Sequence, residues 1–324
     1  MNYNTPFKNE LIAKMRAKNL ADSSIGMYIR NLEKLNNDMP LKNLKFLQNP
    51  AEIMKKLENY KENTKRGYII SICSSLSTDL TTKAKKKLYD EYFKIMIDKN
   101  KQLKDETAEN KKTETQAQNW IDWDEVKEKY EQLKEKVAEL AGKKELNPTQ
   151  YNTLLSYMIL SLYYHNPPRR NQDYQKMAIV KSELPDLSMN YLDYDKREFI
   201  FNIFKTAKKE GQQRQPIAPE LFDIVNLYLK HHPILKGKKP SKVPVPFLVY
   251  YNGGQLDKVN SITRILNKIF GKAVGSSMLR HSFLSGKYGE VLKSQKEDSA
   301  AMGHSLSQQK EYIKMDWTSE DIYG

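Results

Sequence analysis

The chain holds one cysteine in 324 residues, so it can form no internal disulfide and no Cys-rich zinc site. Long apolar runs are missing as well. The best candidate, Tyr157-Met158-Ile159-Leu160, is interrupted by Ser156 and Ser161, well short of the roughly 18 residues a membrane helix needs. No Gly-rich phosphate loop of Walker type and no dinucleotide-binding fingerprint occurs. The five histidines form no His-Glu-x-x-His pair, and the adjacent His231-His232 reads as a surface helix end. No carboxylate stands out as a metal ligand, so neither a cofactor nor a metal is implied. Met1-Asn2-Tyr3-Asn4 lacks the charged and apolar regions of a signal peptide. These absences point to an intracellular chain with no membrane partner.

Positive charge is what the chain has in excess. Lys and Arg total 54 against 40 Asp and Glu, a net charge of +14. Such a bias suits a polyanion, and duplex DNA offers about one charge per ~1.7 Å of axis. A lysine-rich solubilising surface accounts for the same number equally well. The length implies about two domains.

Residues 1–100 read as a helical domain. Phe7 to Lys18 is one helix, and another starts at Ser23 or Ser24 with Ile25, Tyr28, Leu32 and Leu35 at helical spacing. Pro50 opens a third, and Gly67 to Leu76 forms a fourth that carries Cys73 as a core residue. A basic helix from Thr82 towards Lys99 is expected to bury Leu88, Tyr92, Phe93 and Met96. Residues 101–118 are polar and read as a linker or a frayed helix end. Residues 119–324 read as a mixed domain in which Asp122 and Glu125 cap a helix towards Leu140. Thr149 to Tyr164 is an apolar helix ended by Pro167-Pro168, and strands follow with Phe199, Phe201 and Ile203 alternating. Lys205 to Gly211 is a turn. Helices are expected over Pro219 to His231, Asp257 to Phe270, Leu279 to Tyr288, Lys296 to Met302 and Ser307 to Lys314.

Four separated segments carry a common chemistry. Pro167-Pro168-Arg169-Arg170-Asn171-Gln172-Asp173 puts an arginine after a buried helix with a carboxylate three residues on. Phe204-Lys205-Thr206-Ala207-Lys208 puts a lysine where a strand enters a turn. Ser277-Met278-Leu279-Arg280-His281-Ser282-Phe283 puts Arg-His at a helix start. Met302-Gly303-His304-Ser305 is followed by Tyr312. In that order they resemble the tyrosine recombinases, the phage-integrase family, over roughly residues 119–316. Asn19 to Tyr28 is similar, more weakly, to the family's helical core-binding domain.

The resemblance implies a mainly α protein: a helical core-binding domain, then a catalytic domain of helices with a small antiparallel sheet. It implies Arg170 and Arg280 as a clamp on the scissile phosphate, Lys205 as general acid, His304 as phosphate or tyrosine partner, and Tyr312 as nucleophile. Asp173, Ser277 and His281 take supporting places. Two positions depart from the family's pattern. Ser277 stands where a histidine is usual, and a serine is no base near neutral pH. The His304–Tyr312 spacing is one residue short of the commonest one.

The implied reaction is attack of a tyrosine hydroxyl on a DNA phosphodiester, giving a 3′-phosphotyrosyl intermediate without metal or ATP. The implied partners are double-stranded DNA, which the two domains would enclose as a clamp, and further copies of the chain, from dimer to tetramer. Lys83, Lys85, Lys86 and Lys87 are candidate phosphate contacts, and the tail Asp316-Trp317…Tyr323-Gly324 is a candidate contact to a neighbouring protomer. Integration of a viral or mobile genome is the first reading of the role, with resolution of chromosome dimers or inversion next. A type IB topoisomerase or telomere resolvase would use the same residues. A DNA-binding protein that has lost cleavage is the alternative of another class.

Overall fold

Prolines or side-chain caps open α-helices at Pro6, Pro50, Glu114, Pro148, Pro219 and Leu306. The computed structural model describes residues 5–314 except Glu109, Ala141 and Pro185, so the tail expected to contact a neighbour lies outside the described residues. The chain divides into two compact units, Met1–Lys112 and Thr113–Gly324. Among the described residues no helix is long and apolar enough to cross a membrane.

The first unit is helical: α1 (Pro6–Ala17), α2 (Asp22–Leu35), α3 (Pro50–Lys56), α4 (Glu62–Leu76) and α5 (Lys83–Ala108). Thr5 caps α1 by accepting from the Lys8 amide, and Asn49 caps α3 by accepting from that of Glu52. α2 starts one turn before the expected serine cap, with Ala21 at its N-cap and Asp22 paired to Arg16 at 2.8 Å. Leu11, Met15, Ile29, Leu32, Ile69 and Ile72 form the centre of the core. Cys73 is buried among them, and burial pushes its thiol up to about 11. Tyr92 is fully buried and donates to the Leu47 carbonyl at 2.9 Å.

α5 corrects two expectations. Phe93 is 39% exposed, stacked on Tyr89 with ring centroids 5.5 Å apart, while Leu88, Tyr89, Ile95 and Met96 lean on the core. The stripe is thus set by Tyr92 and its neighbours three and four residues away. The helix also runs on to Ala108, through the first half of the expected linker, because residues 101–108 hold neither glycine nor proline to stop it. The break comes at Asn110, which adopts a positive φ of 55°. Thr113 then forms a capping box with Gln116 and opens α6 (Glu114–Gln118), so no uninterrupted linker spans 101–118.

The second unit continues with α7 (Trp123–Ala138), α8 (Pro148–Tyr164) and α9 (Asn171–Gln175). Asp122 precedes α7 but caps no amide; it accepts from the Trp120 indole at 2.8 Å, and Glu125 pairs with Lys272 at 3.1 Å. α8 begins with a capping box of Asn147 and Gln150 and is buried on nearly every side. It is the spine of the larger core.

Five strands follow: β1 (Ala178–Val180), β2 (Tyr191–Asp193), β3 (Glu198–Phe201), β4 (Gln213–Pro216) and β5 (Val245–Pro246), in the order β4-β3-β2-β1-β5. The sheet is mixed rather than antiparallel. β1 and β2 run parallel, Ile179 opposite Leu192, because residues 181–190 carry the chain back to the starting edge before it re-enters the sheet. Buried Asp193 fixes that return, accepting from the amides of Glu183 at 2.8 Å and Lys196 at 3.0 Å. Ile179, Leu192, Phe199 and Phe201 face the α8 core, and Ala178, Val180, Tyr191 and Ile200 face the other way onto Leu184 and Met189. Ile203 does not continue the alternation. β3 has ended, the Asn202 and Ile203 amides both donate to Asn190, and the Ile203 side chain is 50% exposed.

Between β3 and β4 the expected turn contains a short helix, α10 (Ala207–Glu210). α11 (Pro219–Lys230) ends at the His pair, which is not on the surface. His232 is fully buried, with Nε2 3.0 Å from the Pro246 carbonyl oxygen, and burial lowers its pKa. α12 (Ser261–Phe270) begins later than expected, and Gly271 closes it with φ at 64°. The two helices expected after it are one, α13 (Ser276–Ala301), since the intervening Gly289 costs only ~1 kcal/mol and no proline interrupts. α14 (Leu306–Tyr312) is opened by a capping box of Ser305 and Gln308.

Candidate active site

The start of α9 and the start of α13 meet beside the end of α8. Asn171, the first residue of α9, joins them. Its Oδ1 accepts from the Tyr163 hydroxyl at 2.6 Å, its Nδ2 donates to Thr263 Oγ1 at 2.9 Å, and its amide donates to Ser276 Oγ at 3.3 Å. Four helices therefore converge on one asparagine, which sequence reasoning missed. Only its place directly after the arginine pair could have singled it out.

Arg170 is the N-cap residue of α9 and Arg280 lies in the second turn of α13. No described residue accepts a hydrogen bond from either guanidinium, although both are partly buried. They are within electrostatic reach of each other. The Arg280 pKa is lowered, first by burial and then by the Arg170 charge, with Tyr163 and Asp173 opposing. Two cations without an acceptor among the described residues, on helix starts joined through Asn171, can together take an anion.

Asp173 is buried, and its hydrogen bond is to Arg169. Arg169 Nε donates to Asp173 Oδ2 at 3.0 Å, and the expected supporting role of Asp173 towards Arg170 reduces to charge. Burial raises the Asp173 pKa, and Arg169, Arg170 and Arg280, in that order, pull it down again.

Lys205 is exposed on the loop between β3 and β4, with no hydrogen-bond partner among the described residues. Its neighbour Phe204 lies 5.3 Å from the Arg169 guanidinium, which brings the loop to the same end of α9. Asn190 adds a second tie, donating to the carbonyls of Asp173 and Ile203, each at 2.9 Å. Ser277 is exposed and unpaired. His281 is exposed as well, 3.2 Å from Gln116, so it makes a hydrogen bond at the surface rather than packing inside.

His304 and Tyr312 form a second group. Gly303 takes a positive φ of 72°, the chain turns, and the two rings stand 5.5 Å apart between centroids. Tyr312 is 73% exposed at the end of α14. Among the described residues no hydrogen bond or ring contact joins it to the arginines. The structure thus brings together Arg170, Arg280, Asp173 and the Lys205 loop on one side, and His304 with Tyr312 on another.

Lys83, Lys85, Lys86 and Lys87 are exposed in the first turns of α5, with Lys85 tied to Asp79. Among the described residues no group of three or more His, Cys, Asp and Glu is placed to hold a metal ion. Compared with family models, curated proteins and solved structures, the chain matches none.

Proposed function

We propose that the protein is a tyrosine recombinase that cleaves and rejoins duplex DNA, in the service of integrating a viral or mobile genome. One observation carries the reading: Arg170 and Arg280, half-buried at helix starts that the Asn171–Ser276 hydrogen bond joins, have no hydrogen-bond acceptor among the described residues, and their charges act on each other and on buried Asp173. Like charges repel, so such an arrangement gains from a bound anion. A phosphodiester fits, because its non-bridging oxygens gain charge as a fifth oxygen approaches phosphorus.

In the reaction the Tyr312 oxygen bonds to phosphorus, the bond to the 5′-oxygen breaks, and that oxygen takes a proton from Lys205. The phenol is a weak nucleophile at neutral pH, so loss of its proton to His304 or to water accompanies attack. The product is a 3′-phosphotyrosyl enzyme, and a 5′-hydroxyl reverses the steps with no outside energy. The reading requires α14 to carry Tyr312 to the phosphate when DNA is bound. Excess positive charge and the exposed lysines at the start of α5 support DNA as the partner.

The test is covalent capture. Nicked suicide duplexes tiled across the DNA flanking the gene should yield an adduct that survives denaturing electrophoresis, and Arg280→Ala should abolish it. A second reading, a DNA-binding protein without cleavage, is favoured by Ser277 and by the separation of Tyr312 from the arginines. Binding of these duplexes with no adduct would establish it in place of the first.

A further inference from the structure

We infer that Arg169 is a positioning residue: it anchors the loop that carries Lys205 to the helix start that carries Arg170. The inference rests on the recombinase reading for what Lys205 does, but its geometry stands apart from that reading. Arg169 makes three separate contacts. Its Nε donates to Asp173 Oδ2 at 3.0 Å, its Nη1 donates to Gln213 Oε1 at 2.9 Å, and its guanidinium carbon lies over the Phe201 ring, 3.7 Å from the centroid.

Phe201 and Gln213 are register partners, the last pair of the β3–β4 ladder before the chain leaves for the loop. Arg169 therefore grips both strands at the root of residues 202–212, and Phe204, next to Lys205, lies 5.3 Å away on the same guanidinium. The other end of the contact is Asp173 on α9, three residues after Arg170. Lys205 makes no hydrogen bond of its own, so its placement depends on what holds its loop. Asn190 holds Asn202 and Ile203, whereas Arg169 alone reaches both strands and α9 together.

The chemistry explains why an arginine stands here. Lysine could keep the charge beside Asp173, but it has no planar face for Phe201 and no second fixed donor for Gln213. Two donors and a ring face of Arg169 are engaged within the fold, which distinguishes it from Arg170. A general acid misplaced by about 1 Å can lose ~10²-fold in rate.

The experiment uses the full-length protein and a suicide duplex whose scissile phosphate has been mapped from the wild-type adduct. Arg169→Lys should bind that duplex as wild type does and cleave it ~10²-fold more slowly. On the same duplex with a 5′-bridging sulfur, whose thiolate leaves without a general acid, Arg169→Lys and Lys205→Ala should both recover most of the rate. Arg170→Ala should not. Gln213→Ala, which removes only the tie to β4, should fall in the same direction by less. A loss equal on oxygen and sulfur substrates would mean Arg169 serves stability alone, and would overturn the inference while leaving the recombinase reading intact. Absence of any wild-type adduct would overturn the reading, and with it the catalytic purpose of the anchor. The anchor itself is read separately by hydrogen exchange. Amides of 202–212 should exchange ~10-fold faster in Arg169→Lys, with α8 unchanged, and unchanged exchange there would refute it.

Discussion

Asn171→Ala should destabilise the second unit by about 2–4 kcal/mol. The residue makes two side-chain hydrogen bonds, to the Tyr163 hydroxyl at 2.6 Å and to Thr263 at 2.9 Å. A neutral bond is worth ~1 kcal/mol net, but a buried group left without a partner costs ~1–3 kcal/mol. Thr263 is half-exposed and can turn to water. Tyr163 is fully buried and cannot. Most of the cost is therefore the stranded hydroxyl, and that part is removable. Tyr163→Phe alone should cost ~1 kcal/mol, and the double variant should cost less than the two singles added, by ~1–2 kcal/mol.

Urea unfolding followed by tryptophan fluorescence suits the measurement. Trp120, Trp123 and Trp317 all lie beyond Lys112, so the signal reports the second unit and not the first. Because Asn171 also sets the start of α9 against that of α13, the variant should lose more cleavage than DNA binding. Costs that add to within ~0.5 kcal/mol in the double variant would refute the reasoning. They would show that the Tyr163 hydroxyl finds water or another acceptor, and that Asn171 is not what joins the helices.

Tyr312→Phe should bind DNA as wild type does and form no covalent adduct; an adduct in that variant would show another tyrosine to be the nucleophile. DNA binding should weaken steeply with salt, log K falling by about 0.9 per log unit of salt for each phosphate neutralised, and a flat response would contradict a polyanion partner. Stability should fall on acidification below the ordinary histidine pKa of about 6.5. Burial lowers the pKa values of His165, His231 and His232, so the unfolded chain binds protons that the folded one refuses; the contribution is complete above that value and is lost as pH drops through it. A urea midpoint that holds steady or rises between about pH 7.5 and 5.5 would refute this.

Helices were legible wherever the sequence carries their stops. Pro50, Pro148 and Pro219 each open one, and the period of Ile25, Leu32 and Leu35 marks a buried face of α2, with Ile29 rather than Tyr28 completing it. Reading failed where a residue's fate depends on distant chain. Polar residues 101–108 resemble a linker by composition, but composition does not end a helix that has already nucleated. Ile203 sits one step past the end of its strand, and Phe93 sits beside the buried stripe of α5 rather than on it; an apolar side chain alone marks neither edge. His232 was misplaced because its acceptors, the Pro246 and Phe247 carbonyls, come from a segment 14 and 15 residues further on that helix spacing says nothing about. The parallel pairing of β1 and β2 was hidden for a similar reason: it is set by buried Asp193 and the path of 181–190, not by alternation within either strand.

The arginine doublet shows what spacing can and cannot decide. Asp173 lies three residues after Arg170 and four after Arg169, and both separations bring side chains to neighbouring positions on a helix. The sequence therefore offers two candidates for one ion pair. The fold separates them by what else lies within reach. Arg169 finds the Phe201 ring and Gln213, and its cation becomes part of the interior. Arg170, one residue on, caps α9 and finds no acceptor. A buried carboxylate with a single partner arginine is a structural pair, and its charge is largely spent. The adjacent arginine keeps its charge and its donors for something that is not protein. Arg280 arrives from another helix in the same condition, and Asn171 joins the two helix starts. On the proposed reading the functional arginines are the ones left without an acceptor among the described residues, and the carboxylate that seemed to mark the first of them is hydrogen-bonded to its neighbour.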